Sequence, residues 1–421
     1  MIFRIVEKIR PILLKIFPQK LLKTVKNFLV DKKQKKLLRE GLAPFEPDFY
    51  PKGVNLIGPL KSQNGLGQSS RLLATLLKGT GFPYVLSDYC TSQNIARDDH
   101  SFDKELTDKL PYGINLLHLN PFELRMVYLE KGKALPEHRY NIGYWLWELD
   151  TIPQDWLPAI DLVDEIWTPS EYISNNFRKV TDKPVFTHSY CVTAPVLEKC
   201  DRAYFALPEN KFLYLIMYDS NSTRARKNPM GAIDAYKRAF PKENSDVGLV
   251  IKINNFDKED VDILKDELSE YKNVYMITRT MEKEEVNSLI KSVDVFVSLH
   301  RAEGFGLVLA EAMLNDTACV ATAYSSNTEF MSRDSACLIG YDLVKTHGDT
   351  GFYPKGSRWA EPHINDAAFQ MKRLYEDPVF YKKIVENGRK YINEKMNYET
   401  VVHHMRTRLE EIYEGKNLGR N

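Results

Sequence analysis

The sequence predicts an α/β protein made of two Rossmann-like, doubly wound parallel-sheet lobes, and three observations carry that expectation. Short apolar runs at 54–57, 212–217, 247–253 and 295–299 alternate with amphipathic helical stretches, the order of strands joined by crossover helices. The runs are apolar at nearly every position, as strands covered on both faces must be. Around 199–211 the alternation pauses, which divides the chain into a lobe at 43–205 and a second at 206–395, with a basic tail at 1–42 and a terminal helical segment at 396–421. At 421 residues the chain has room for roughly two to three domains of about 150 residues.

Composition sets the class. Hydrophobic residues make up 43% and charged residues 27%, as in an ordinary soluble globular protein. Cys90, Cys191, Cys200, Cys319 and Cys337 show no metal-ligand spacing and read as reduced, buried thiols of a cytoplasmic protein. No apolar run reaches the roughly 18 residues of a membrane span. The net charge of +1 hides an asymmetry, because residues 1–40 hold twelve Lys or Arg against three acids while the remainder is acidic. This tail is also amphipathic. Ile2, Ile5, Val6, Ile9, Leu13 and Ile16, then Leu21, Leu22, Val25, Phe28 and Leu29, recur at helical spacing, with Pro11 and Pro18 dividing the stretch. A basic helix of this kind suits an anionic membrane surface, so residues 1–40 are expected to hold the protein peripherally at the inner face of a membrane. Two alternatives stay open: the stripe packs on the protein's own body, or it is a cleaved targeting peptide.

After a linker at 43–52 comes the first strand, 54–57, then a glycine-punctuated loop to Gly67 and a helix at 68–77. Gly65 and Gly67 would let backbone approach a phosphate, but the spacing is not Gly-x-Gly-x-x-Gly and no acid ends a second strand convincingly. A dinucleotide site is therefore not the leading reading. The strand at 114–118 brings His118, with Asn120 beside it, to the carboxyl edge of a sheet, where open α/β folds keep their ligands. In the aromatic segment 140–149, Trp145, Trp147 and Glu148 read equally as an acceptor-sugar platform and as core. The second lobe opens with the strand at 212–217 and a basic loop carrying Arg224, Arg226 and Lys227, which enters a helix near Pro229. Asp260 and Asp262 form an Asp-x-Asp pattern inside an amphipathic helix, a solvated face rather than a metal site. After Gly340 a loop through Trp359, Ala360, Glu361 and Pro362 leads to the closing helices, the last around 398–413.

The chain is organised around 295–331. A buried strand ends in His300, Arg301 and Glu303, the turn Gly304-Phe305-Gly306 follows, and a helix starts at Leu307 and carries Glu311. Such a turn offers free backbone N–H groups and the positive end of a helix dipole, which together hold phosphate. The segment EGFGLVLAEAM, set between a buried strand and the strand-like ACVATAY, resembles the donor-sugar motif of the retaining, nucleotide-sugar-dependent glycosyltransferases of family 4, which have the two-lobed GT-B fold.

That resemblance implies roles. Glu303 would lie near the transferred sugar, Glu311 would bond the nucleotide ribose, and Gly304 to Leu307 would hold the diphosphate. Lys227 would neutralise the diphosphate. The family's arginine five residues earlier is Ser222 here, so Arg226 or Arg224 would supply that cation. His118 would contact the sugar, and the loop with Gly65 and Gly67 would close over the donor. The expected reaction is transfer of a hexose with retained configuration to a glycan or lipid-linked acceptor in cell-surface polysaccharide, lipopolysaccharide or glycolipid synthesis. No metal or other cofactor and no nucleic-acid partner are expected. The alternatives are a catalytically silent GT-B scaffold and another GT-B enzyme, such as an epimerase or phosphorylase.

Overall fold

The computed structural model of the chain describes residues 19–90, 96–220, 224–346, 353 and 356–415. Ser222 and the first eighteen residues of the tail lie outside them. Helix α1 (Gln19–Arg39) precedes a first lobe whose strands β1 (Val54–Gly58), β2 (Tyr84–Asp88), β3 (Ile114–Leu117), β4 (Tyr140–Tyr144), β5 (Glu165–Thr168) and β6 (Val185–Thr187) form a parallel sheet in the order β2-β1-β3-β4-β5-β6. Its helices are α2 (Gly65–Thr80), α3 (Pro121–Lys131), α4 (Leu157–Ile160) and α5 (Glu171–Arg178). Every residue of β1, β3 and β5 is buried, which explains the continuous apolar runs: helices cover both faces of the sheet. Each fully buried Leu or Ile contributes about 1.5–3 kcal/mol relative to exposure. The buried polar positions are paired, with Asn55 Nδ2 donating to Asn115 Oδ1 at 2.9 Å and Asn115 Nδ2 to Asn141 Oδ1 at 2.9 Å.

The second lobe repeats the plan. Strands β7 (Phe212–Asp219), β8 (Val247–Asn254), β9 (Val274–Ile277), β10 (Val295–Ser298), β11 (Ala318–Thr322) and β12 (Cys337–Ile339) are ordered β12-β11-β10-β7-β8-β9, all parallel. They are linked or covered by α6 (Arg224–Lys227), α7 (Pro229–Ala239), α8 (Lys258–Glu267), α9 (Lys283–Lys291), α10 (Leu307–Leu314), α11 (Ile364–Glu376) and α12 (Pro378–Lys395). In each sheet the winding reverses once, between β1 and β3 in the first and between β7 and β10 in the second. At such a reversal the loops leaving the two central strands part in opposite directions and open a crevice at the carboxyl edge. Lys227, the last residue of α6, follows β7, and Glu303 follows β10; His118 follows β3.

Helix α13 (Tyr398–Tyr413), whose destination the sequence left open, returns to the first lobe. The buried Arg408 Nη2 donates to Glu165 Oε2 at 2.6 Å, and the Tyr413 hydroxyl bridges the backbone of Gly53, accepting from its N–H at 2.9 Å and donating to its carbonyl at 3.0 Å. Helix α1 packs on α3 through the buried Val30 and through Arg125, which pairs with Asp31 and donates to Gln34. Its other face leaves Leu21, Val25, Phe28 and Leu29 exposed, Phe28 by 65%. No described helix is long and apolar enough to cross a membrane.

Two expectations are corrected and one open alternative is decided. Gly65 and Gly67 are not in a loop: α2 begins at Gly65, capped by Asn64, whose side chain accepts from Gly67 N at 2.8 Å. The stretch after Gly340 is not a loop either but an antiparallel hairpin of β13 (Tyr341–Lys345) and β14 (Arg358–Pro362), fastened to the end of β10 by the bidentate pair Arg301–Glu361 at 2.6 and 2.7 Å. Finally, Trp145 and Trp147 are buried, so neither presents a face to a sugar.

Candidate functional site

At the second lobe's reversal point, backbone pairing brings the two predicted residues together. Arg301 N donates to Arg226 O at 2.7 Å, and the Arg226 guanidinium returns a bond to Ala302 O at 3.0 Å, so the two loops run alongside each other. Asn228, in the left-handed region at φ 51°, ties the same loop to β10 through Leu299 O at 2.9 Å and caps α7 through Gly231 N. As a result Lys227 Nζ lies 2.6 Å from Glu303 Oε2, with Arg226 Nη1 3.5 Å from the same oxygen. Burial pushes Glu303 up, but Lys227 and Arg226 outweigh it and hold the carboxyl at about 2. Burial pulls Lys227 down against the opposing pull of Glu303. Arg226, only 8% exposed, resists the same burial because Glu303 and then Glu148 favour its charge, and its value ends raised. Arg224 is turned away to Asp260, so Arg226 is the arginine that joins the cluster.

The glycine turn stands beside this cluster. Gly306 sits at φ 98°, where a side chain is strained and a Cβ would meet the Phe330 ring at 3.3 Å. It is followed directly by Leu307, the first residue of α10, so the helix N-terminus opens at the turn. Gly304 is held by Ser326 Oγ, which donates to its carbonyl at 2.9 Å, and Glu303 N donates to Ser325 Oγ at 3.1 Å. Phe305 is packed between Tyr190 and Phe330. Glu311 is fully buried and ion-paired with Lys283 from α9; burial raises it and Lys283 opposes the rise.

The first lobe's reversal point is neutral by contrast. His118, 1% exposed, is bonded through Nε2 to the Ser69 hydroxyl, which in turn meets the Tyr190 hydroxyl, and burial lowers the imidazole to about 3. The ring of Tyr190 packs edge-on against Phe305, centroids 4.8 Å apart, so His118 is linked to the glycine turn through two side chains rather than by touching it. Asn120 is half-buried just ahead of α3 and makes no side-chain capping bond. A Cβ on Gly67 would fall 1.9 Å from Ser62 O, so that glycine is required by packing, while Gly65 faces open space. Sequence reasoning missed Ser69, Tyr190, Asn228 and Lys283. Only Asn228, a helix-cap residue before Pro229, carried a local signal.

The lobes meet around this centre. Glu329 accepts from Glu171 N at 2.9 Å and Tyr172 N at 2.7 Å, capping α5 from the other lobe, and Ser170 and Ser326 hydroxyls lie 2.7 Å apart. A hollow of about 430 Å³ opens there, lined by Glu171, Ser189, Phe305, Glu329, Phe330 and Lys395 among others; a second, of about 610 Å³, lies away from the cleft near Tyr50 and Tyr413. Neither is lined by Lys227 or Glu303, whose polar groups meet each other instead. Among the described residues no group of three or more His, Cys, Asp and Glu side chains is placed to hold a metal ion.

Comparisons with known proteins bear on this geometry. Residues 206–391, which include Lys227, Glu303 and Glu311, match the family described as glycosyl transferases group 1. No curated protein matches the chain in sequence. Among solved structures, HepE of Anabaena in complex with UDP and glucose is 12% identical, with a TM-score of 0.63 over 86% of this chain and 100% of that one. Sucrose-phosphate synthase from Thermosynechococcus elongatus is 14% identical, with a TM-score of 0.63 over 87% and 100%. A UDP-forming α,α-trehalose-phosphate synthase from Burkholderia xenovorans is 10% identical, with a TM-score of 0.57 over 85% and 98%. Identities this low speak for the fold. The chain therefore has the two-lobed GT-B fold, and its second lobe, residues 206–391, carries the sequence pattern of the group 1 glycosyl transferases.

Proposed function

We propose that this protein is a retaining glycosyltransferase that moves a hexose from a nucleotide diphosphate sugar to a glycan or lipid-linked acceptor without a metal ion. The observation that carries the proposal is the Lys227–Glu303 pair at the reversal point of the second sheet, beside the N-terminus of α10 and inside the segment with the family pattern. Breaking the sugar–phosphate bond develops negative charge on the departing diphosphate and positive charge on the sugar. Lys227, Arg226 and the backbone N–H groups at the glycine turn are fixed where they would offset the first, and fixed charges in a buried site supply more stabilisation than water. An arriving diphosphate competes with Glu303 for Lys227; the released carboxylate then accepts hydrogen bonds from the sugar. Attack comes from the face the leaving group departs, and the phosphate takes the acceptor's proton, which retains configuration. His118 acts as a neutral group, and Glu311 exchanges Lys283 for the ribose hydroxyls.

Solved structures of the same fold hold UDP with glucose (HepE) or UDP with α-GlcNAc-glycerol (TarM of S. aureus), which makes UDP-sugars the first donors to test. The test is slow hydrolysis of a panel of nucleotide sugars. Turnover lost in Glu303→Ala and Lys227→Ala supports transfer chemistry, whereas donor binding with no turnover in any assay supplied with candidate acceptors would favour a silent scaffold. The exposed Leu21, Val25, Phe28 and Leu29 beside Lys32, Lys33, Lys35 and Lys36 favour a membrane-held acceptor in cell-surface glycan or glycolipid synthesis, at the cytoplasmic face. Flotation with anionic liposomes should be lost when Val25 and Phe28 are replaced by Asp; unchanged flotation would remove the case for a membrane acceptor.

A further inference from the structure

The loop leaving β4 carries a carboxylate of the first lobe to the second lobe's charged cluster. A Cβ on Gly304 would lie 3.6 Å from Glu148 Cγ and 3.9 Å from Leu146 Cβ, so this loop rests against the glycine turn. It is pinned on both sides of Glu148: the Trp147 ring packs 5.7 Å from Tyr353, and Asp150 pairs with Arg358 of β14 at 2.6 Å. Glu148 itself is half-buried; burial and then the Glu148 charge raise the Tyr353 hydroxyl, and Glu148 favours the charged forms of Arg226 and Lys227. Two cations thus face two carboxylates, one from each lobe.

The charge balance has a consequence for the ligand. A diphosphate takes up the cations, which leaves Glu303 without its direct partners and Glu148 without the nearby compensating charge, and a poorly solvated carboxylate left in that way is costly. Each ionised carboxylate only accepts hydrogen bonds, and its two oxygens have room for several. A neutral sugar ring between them supplies hydroxyl donors to both. A sugar with its own carboxylate supplies like charge instead.

Resting on the reading of a nucleotide-sugar site, we propose that Glu148 is a positioning residue for the donor sugar, accepting its hydroxyls from the side opposite Glu303, and that the two carboxylates restrict the donor to sugars without a carboxylate. The experiment measures hydrolysis of UDP-glucose, UDP-N-acetylglucosamine, GDP-mannose and UDP-glucuronate, and binding of UDP and GDP alone, for the full chain and for Glu148→Gln and Tyr353→Phe. The neutral donor that is used should exceed the glucuronate at least about tenfold. Glu148→Gln should lower kcat/KM for that donor about 10- to 100-fold, the size of a lost charge-assisted hydrogen bond, and narrow the glucuronate's disadvantage. The nucleoside diphosphate alone should bind Glu148→Gln at least as tightly as the parent, an outcome that a merely structural role would not produce. Tyr353→Phe, which keeps the carboxylate, should change kcat/KM in the same direction by less. Unchanged kcat/KM in Glu148→Gln, equal losses for donor and bare nucleotide, or preference for the glucuronate would overturn the inference while leaving the donor site intact. Absence of binding by any nucleotide would instead sink the site itself.

Discussion

The two sheets reverse their winding in the same way and present their carboxyl edges to one cleft, yet the two edges are built from opposite materials. The second lobe's edge carries Lys227, Arg226 and Glu303 in direct contact. The first lobe's edge carries His118, Ser69 and Tyr190, a buried chain of neutral groups. The two edges divide the labour: one is equipped to receive and stabilise charge, the other to hold hydroxyl groups without adding charge. Glu148 and Asp150 are the exceptions, charges that the loop after β4 sends across.

The comparison breaks most sharply if the charged edge can be weakened without effect. Lys227→Ala should lower kcat/KM for donor hydrolysis about 10²- to 10³-fold, as loss of a fixed charge partner at a reacting centre does, while His118→Gln should cost about tenfold, the size of one neutral hydrogen bond. Equal losses would erase the distinction between the edges.

Acid denaturation separates the edges by pH. His118 is held at about 3 against an ordinary 6.5, so its neutral form is favoured by folding; the unfolded chain binds the extra proton and stability falls as pH drops from about 6.5 towards 3. His188, held at about 3 by burial, acts in the same window. Glu303 is held at about 2 against 4.5, so its contribution is complete above about pH 4.5 and is lost as pH falls through 2. Urea unfolding across pH should show His118→Gln flattening the upper window and Glu303→Gln the lower one.

The smallest effect concerns the two glycine turns. Gly306→Ala should destabilise by about 1–2 kcal/mol through its left-handed backbone, whereas Gly65→Ala, in the first turn of α2 with open space around it, should be neutral or stabilising by up to about 1 kcal/mol. Thermal melts of both variants check this. If Gly65→Ala nonetheless abolishes donor binding, the first lobe's turn does approach the ligand.

Much of the second lobe was legible because its signals are local. The helix start at Leu307 stands in the structure where the sequence put it, the strand expected at 247–253 runs one residue further to Asn254, and the basic stretch before Pro229 and the acid before a glycine turn each belong to one short segment. What stayed hidden depends on partners far away in the chain. The glycines at 65 and 67 looked like loop because nothing nearby reveals that Ser62 O crowds Gly67 or that Asn64 caps the helix. The β13–β14 hairpin is pinned by Arg301, 60 residues from Glu361, and the bond from Ser69 to Tyr190 spans 121 positions. Trp145 and Trp147 are apolar and aromatic in either reading, so only burial could separate core from platform.

One measurement tests the charged edge most directly: the crystal structure of the full chain with the nucleoside diphosphate that binds it. The diphosphate should lie within hydrogen-bonding distance of Lys227 Nζ and of the backbone N–H groups from Gly306 into α10, with the Glu303 carboxylate released from Lys227. A diphosphate seated elsewhere, such as the hollow beside Tyr50 and Tyr413, with Lys227 and Glu303 still 2.6 Å apart, would contradict it.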